Sequence, residues 1–332
     1  SFGPLPGQTS YINTGNRVFY SVRNMLIELS DEKDSILFTA DFDTRDLAMD
    51  MVQLKPGYLL LGGTEGIFEL DLANKKFELV YKDNNNAFQD IVQYHDYLFA
   101  ANYKTGLVIL KNKKAVKAPM DQLRSLANVH TTYVDSKGYV WFSTDDGILR
   151  TKVQALINHF NDTTSYVGYQ FFGKKHGMEI SELNGGLQRS VAVLRNGNLA
   201  YPGINGIITV DRAAVSVEPK KNKLLIDEVT AGDTLVIRQP GAKVFLPKNT
   251  RNVKISLLNA GWGIPYKTIE YRLEGHSQFW STLDYDKQNF IEFQNLNSGE
   301  YLLEIRALSV FDRTQLEVQT LAIYIEHPWY QT

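Results

Sequence analysis

An all-β fold is predicted: a β-propeller of about five blades, closed or part of a larger ring, followed by an immunoglobulin-like β-sandwich. Three observations predict it. The 332 residues include 18 Tyr and 17 Phe, types that suit half-buried strands. A strand–turn–strand unit recurs about every 40 residues through the first two-thirds of the chain, the spacing of a propeller blade. The unit then stops, and short strand candidates separated by turn signals take over, as in a sandwich.

The repeat is clearest in four segments, Gly57–Leu70, Asp96–Leu110, Gly138–Thr151 and Gly197–Val210. Each reads as an apolar strand, a turn closing on glycine, and a second apolar strand. The closing glycines are Gly66, Gly106, Gly147 and Gly206, and turn geometry accounts for them without any ligand. A weaker fifth copy, residues 16–29, has Asn24 at the marker, the next residue most tolerant of positive φ. The marker positions 24, 66, 106, 147 and 206 are 42, 40, 41 and 59 residues apart. A further strand precedes each hairpin, beginning at Asp50, Asp90, His130 and Ser190. It leads into a turn such as Pro56-Gly57 or Asn196-Gly197.

The long last interval implies an insertion of roughly 18 residues within 152–188, with a short helix or extended linker at Val153–Phe160. The polar, proline-containing stretch Val215–Asn222 reads as a linker, which divides the chain into a propeller, 1–217, and a sandwich, 218–332. Seven strands are expected in the second part, at 224–229, 234–237, 253–258, 268–273, 290–293, 301–307 and 316–325.

Composition excludes several classes. A net charge of −2 offers no basic face for nucleic acid, and the Lys111, Lys113 and Lys114 cluster reads as a hairpin. Without cysteine there is no disulfide, thiolate nucleophile or cysteine zinc site. No run reaches the ~18 apolar residues of a membrane span. Ser1-Phe2-Gly3-Pro4 lacks a signal-peptide pattern and reads as an internal start.

No catalytic residue, cofactor or metal site is expected. The histidines (95, 130, 159, 176, 276 and 327) show no paired ligand spacing, and most read as solvated turn residues. Asp41–Asp46 partly mimics a calcium loop, yet lacks glycine at the sixth position and has Val52 at the twelfth. Asp145 and Asp146 read as a solvated hairpin tip. Aromatics beside polar turn residues suit sugar faces. The ligand candidates are therefore Asn102 and Tyr103 in one hairpin, Tyr201 and Asn205 in the last blade, and Tyr166, Tyr169, His176 and Glu179 in the insertion. Trp141 and Trp280 read as core, and Trp262, between two glycines, as an interdomain or partner contact.

Asp135–Arg150 resembles the two-component-regulator propeller repeat, Asp-x-x-Gly-x-hydrophobic-Trp-hydrophobic-x-Thr-x-x-Gly-hydrophobic. Phe172–Asn184 is similar to the stretch before that family's last blade. The second part resembles the triple-tyrosine (Y_Y_Y) domain through Tyr271–Gly275, Trp280, Phe293–Leu296, Ser298–Tyr301, Arg306-Ala307 and Pro328–Tyr330, with Phe293 where a family tyrosine is expected. This resemblance implies the periplasmic ligand-sensing region of a membrane-bound hybrid two-component system of Bacteroidetes. It further implies a homodimer, an oligosaccharide as ligand, and a transmembrane helix soon after the Pro-Trp-Tyr ending. The competing readings are a protein-binding scaffold, marked by a large apolar surface patch and no small-molecule pocket, and a propeller lyase or hydrolase, marked by carboxylate, His or Tyr groups converging at the central channel.

Overall fold

The computed structural model describes residues 8–327, except 16, 30–33, 40–46, 84–86, 122–123, 180, 186–189, 216–222, 233–234, 261–266, 284 and 286–287. The calcium-like loop Asp41–Asp46, the linker core, Trp262 and the Pro-Trp-Tyr ending lie outside the described residues. The chain divides into two compact units, Ser1–Ser216 and Val217–Thr332.

Among the described residues, the first unit carries five antiparallel meander sheets in chain order. The first holds β1 (Gln8–Asn13), β2 (Val18–Val22), β3 (Met25–Leu29) and β4 (Ser35–Thr39). The second holds β5 (Asp50–Lys55), β6 (Tyr58–Gly62), β7 (Gly66–Asp71) and β8 (Lys76–Lys82). The third holds β9 (Phe88–Tyr94), β10 (Tyr97–Asn102), β11 (Gly106–Lys111) and β12 (Lys114–Lys117). The fourth holds β13 (Val129–Val134), β14 (Tyr139–Thr144), β15 (Ile148–Lys152) and β16 (Gln170–Phe172), with helix α1 (Val153–Asn161) between its last two strands. The fifth has three strands among the described residues, β17 (Ala192–Val193), β18 (Leu199–Gly203) and β19 (Gly206–Val210), followed by the short helix α2 (Arg212–Val215).

Successive sheets stack as propeller blades. The first strands β1, β5, β9 and β13 lie side by side in that order. A side-chain latch joins each neighbouring pair. Ser10 Oγ donates to the Ala48 carbonyl at 2.8 Å, Asp50 Oδ2 accepts the Ile91 N–H at 2.8 Å, and Asp90 Oδ2 accepts the Thr132 N–H at 2.5 Å. Both aspartates are buried, so these are charge-assisted bonds in a dry setting.

The marker glycines have a steric cause beyond the turn. Gly66 and Gly147 hold φ of 148° and 153°, and a Cβ on either would lie 2.2 Å from a carbonyl oxygen of the outer strand, Tyr81 or Phe172. The weak copy differs from expectation: Arg23, at φ 51°, takes the left-handed position, and Asn24 does not. The two-residue turn needs positive φ one place earlier. In the lysine cluster, Asn112 and Lys113 both have positive φ, the mark of a tight hairpin turn, and Lys113 pairs with Glu78 at 2.7 Å.

The Asp-x-x-Gly-x-x-Trp segment is a self-closing turn. Asp135 Oδ1 accepts the N–H groups of Lys137 and Tyr139, and Oδ2 accepts Trp141 Nε1–H at 2.9 Å. Trp141 is fully buried. One aspartate thus satisfies the turn backbone and the one polar atom of a core indole.

In the second unit, a four-stranded sheet joins β21 (Leu235–Arg238), β20 (Lys223–Ala231), β23 (Val253–Ala260) and β26 (Phe290–Phe293). A five-stranded sheet joins β22 (Lys243–Leu246), β28 (Gln315–Ile325), β27 (Gly299–Ser309), β24 (Lys267–Glu274) and β25 (Ser281–Leu283). Val229, Ile255 and Ile291 of the first meet Leu273, Ile305 and Ile323 of the second in one apolar core. Tyr301, at the start of β27, folds its hydroxyl back to donate to the Asn297 carbonyl at 2.9 Å, the tyrosine corner of an immunoglobulin-like sandwich. The described strands include two beyond the expected seven, β22 and β25. Both are short edge strands, and β22 pairs in parallel with β28, so neither shows the alternation or hairpin signal that flags longer strands.

Candidate functional site on the propeller

In each meander, the hairpin tip between second and third strands and the segment leading to the next sheet fall on the same edge. That edge gathers Tyr103, His130, Asp145 and Gln89. His130 Nε2 lies 2.6 Å from Asp145 Oδ1, and its Nδ1 lies 3.3 Å from Gln89 Oε1. The Tyr103 ring stacks on the imidazole at 6.0 Å and 24°. Gly185 lies against the imidazole from its own segment, where a Cβ would come 2.2 Å from His130 Cβ. The His130 side chain is 10% exposed and Asp145 33%, so the histidine is a floor and the carboxylate faces solvent. Ser125 Oγ donates to Asp146 at 3.2 Å beside it.

This arrangement offers hydrogen-bond acceptors and one aromatic face. Both imidazole nitrogens are engaged, and no serine or threonine hydroxyl bonds the ring among the described residues. A nucleophile–base–orienter chain is therefore not assembled in this cluster.

The expected ligand residues do not converge. Tyr103 belongs to the cluster. Asn102 does not: it is fully buried, and its side chain accepts the Thr105 hydroxyl inside the tip. Asn205 and Glu179 are exposed, and Asn205 sits at the fifth sheet's tip on the same edge. His176 is half-buried, accepts the Gly173 N–H at 3.1 Å and meets the Phe171 ring edge-on. Tyr166 is 45% exposed, but it follows α1, which leaves β15 at the end away from the tips. Tyr169 gives its hydroxyl to the Pro119 carbonyl at 2.9 Å, and Tyr201 is wholly buried, so neither is an exposed aromatic. A strand residue's exposure depends on the next blade, which its own segment does not encode.

Sequence reasoning missed His130, Asp145 and Gln89. Gln89 and His130 each precede the latch position of their inner strand, and no spacing distinguishes them. Asp146 is exposed at the hairpin tip as expected, whereas Asp145, partly exposed there, also bonds His130. His159 also departs from the turn expectation: it is buried on α1, with its ring nitrogens 3.1 and 3.2 Å from the carbonyl oxygens of Ser165 and Lys117.

The sandwich has its own concave feature. A groove of about 320 Å³ crosses the outer face of the five-stranded sheet, with Ala322 as a small floor residue between Lys243, Leu302 and Tyr324, and with Glu274 and Glu300 also lining it. On the same face Glu270 is bracketed by Arg306, at 2.6 Å, and Arg313. Trp280 is half-buried there, 3.8 Å above the Arg306 guanidinium, rather than in the core. Its neighbours on β24 and β27 are charged, so it covers ion pairs instead of aliphatic side chains.

Fold and site together define an all-β chain of two parts: propeller blades and an immunoglobulin-like sandwich. No protein-family profile matches it, and no curated protein does. Among solved structures it is similar to the extracellular domain of BT3049 from B. thetaiotaomicron, assigned to a hybrid two-component system (15% identity, 95% of this chain and 50% of that chain, TM-score 0.41). It is also similar to the extracellular domain of BT4673 from the same organism, likewise assigned (12%, 99% and 45%, 0.45). A calcium-binding regucalcin of Agrobacterium tumefaciens matches at 10% identity over 76% of this chain and 83% of that chain, with a TM-score of 0.45. At such values likeness alone carries no argument, and the fold rests on the sheets above. The chain spans about half the length of these two extracellular domains. Among the described residues no helix is long and apolar enough to cross a membrane.

Proposed function

We propose that this chain is the periplasmic ligand-sensing region of a membrane-bound two-component regulator. It binds a carbohydrate-derived ligand on the propeller and relays the change through the sandwich, a triple-tyrosine-type domain, to a following transmembrane helix in a homodimeric receptor. The observation that supports binding over catalysis is the Tyr103–His130–Asp145–Gln89 cluster. It combines an aromatic face with a carboxylate that accepts paired hydroxyls, while its histidine is already held on both nitrogens. The sequence resemblance supports the receptor context.

A thermal-shift screen of oligosaccharides tests the reading. A ligand at a hundredfold excess over its Kd stabilises the state it binds by about 2.7 kcal/mol, which a melting curve resolves. A sugar that raises Tm, with the shift lost in Tyr103→Ala and in Asp145→Asn, is the expected result. A shift that survives in both variants moves the site elsewhere. The absence of a shift with every sugar removes the carbohydrate reading. Turnover of a sugar abolished by His130→Ala would replace binding with catalysis.

A further inference from the structure

The interfaces between blades differ in chemistry. Sheets one and two share an apolar cluster that includes Phe19, Leu26, Met51, Leu59 and Phe68. Sheets two and three share Leu60, Ile67, Phe88, Ile91 and Val108. Sheets three and four share Phe99, Leu107, Ile109, Val140, Phe142 and Leu149. No comparable cluster covers the other face of the fourth sheet among the described residues.

That face is set by register. Thr131, Ser143, Ile148 and Phe172 form one row across β13 to β16, and Tyr133, Trp141, Arg150 and Gln170 form the next. The fifth sheet and its flanks lie against it: Arg150 donates to the Val215 carbonyl at 2.9 Å, and Arg212 reaches the Tyr133 hydroxyl at 3.4 Å. Part of this polar surface is paired, since Arg150 Nε donates to Gln170 Oε1 at 2.6 Å and stacks over Trp141 and Tyr139. Four groups are not. Thr131 Oγ1, Ser143 Oγ, Gln170 Nε2 and the Tyr201 hydroxyl have no hydrogen-bond partner among the described residues. All four residues are 2% exposed or less. Thr131 and Ser143 lie directly opposite each other, and Gln170 lies opposite Arg150. Burial pushes the Tyr201 hydroxyl far above its ordinary value, so it stays a proton donor, with Tyr133, Asp135 and Asp90 in its field.

A buried polar group without a partner carries its full desolvation cost, and four along one seam exceed what native proteins hold dry. Ordered water, which takes two to four polar partners, matches this set of donors and acceptors. We propose that the seam between the fourth and fifth sheets is a buried water-binding site, in which ordered water bridges Thr131, Ser143, Gln170 and Tyr201. The fifth sheet is then docked partly through solvent, where the other blades share apolar clusters.

The test uses the full chain. A high-resolution crystal structure is expected to show water within hydrogen-bond distance of at least two of the four groups, with Tyr201→Phe and Ser143→Ala leaving Tm unchanged or lower. Carbon-only surroundings for these atoms would overturn the proposal. So would a rise in Tm of roughly 2–6 °C in both variants, the relief expected when an unpaired group leaves a dry interface. Should Tyr201→Phe fail to fold, Ser143→Ala removes one oxygen with little volume, and the unaltered protein's crystal structure decides by itself.

Discussion

The fourth sheet is buried on both faces, and the two faces differ in chemistry, one apolar and the other mixed with polar groups. Toward the third sheet it presents Val140, Phe142 and Leu149, which pack into one apolar cluster. Toward the fifth it mixes the polar Thr131, Ser143, Arg150 and Gln170 with Trp141, Ile148 and Phe172. Burial alone therefore does not describe how a blade is held. The apolar seam is stabilised by area and packing, which tolerate little loss of volume. The polar seam depends on whether each donor and acceptor finds a partner, so its strength is set by pairing rather than by area.

Truncating the apolar seam should have the largest effect. Phe142→Ala is expected to cost about 3–5 kcal/mol, read from the denaturant midpoint at constant slope. A loss under about 1 kcal/mol would mean that the seam is loosely packed and the contrast false. The inner-strand latch comes next. Asp90→Ala leaves the Thr132 N–H without its carboxylate, and a loss of about 1.5–3 kcal/mol is expected. Asp50→Ala should match it, because its latch to Ile91 has the same form. Unequal losses would show that the fourth sheet's docking to the third is not equivalent to the third's docking to the second.

The smallest effect concerns a buried polar group that is fully paired, Glu270 in the sandwich. Burial pushes its carboxyl up, but the hydrogen bonds and charges of Arg306 and Arg313 outweigh this and leave it below the ordinary glutamate range. A carboxyl lowered in the folded state contributes stability that is present above its unfolded value, about 4.5, and is lost as pH falls through the folded value. Glu270→Gln should therefore be less stable than the parent at neutral pH and show a flatter acid limb in denaturation midpoints measured from pH 7 to pH 3. Parallel acid limbs would show that the pair is not coupled to folding.

The architecture was legible because a blade is built from local contacts. Its hairpins are closed by Gly66, Gly106, Gly147 and Gly206, residues whose backbone freedom is written in their identity. The Asp135–Trp141 motif was legible for the same reason, since donor and acceptor lie six residues apart. The candidate site was legible only at Tyr103. His130 comes from an inner strand, Asp145 from a hairpin tip and Gln89 from the previous blade, 41 residues before His130. Tyr201 misled because an aromatic on a strand beside a turn carries no record of the blade that will cover it.

By itself the sequence determined the blade repeat, the change of grammar before the sandwich, and the turns and strands within each sheet. Periodicity and turn chemistry act over a few residues and survive in one dimension. Only the tertiary structure decided which faces became hydrocarbon seams, which became the polar one, and which side chains met at the His130 cluster. Those outcomes depend on stacking register between strands about 40 residues apart, where a shift of one residue turns every side chain to the opposite face.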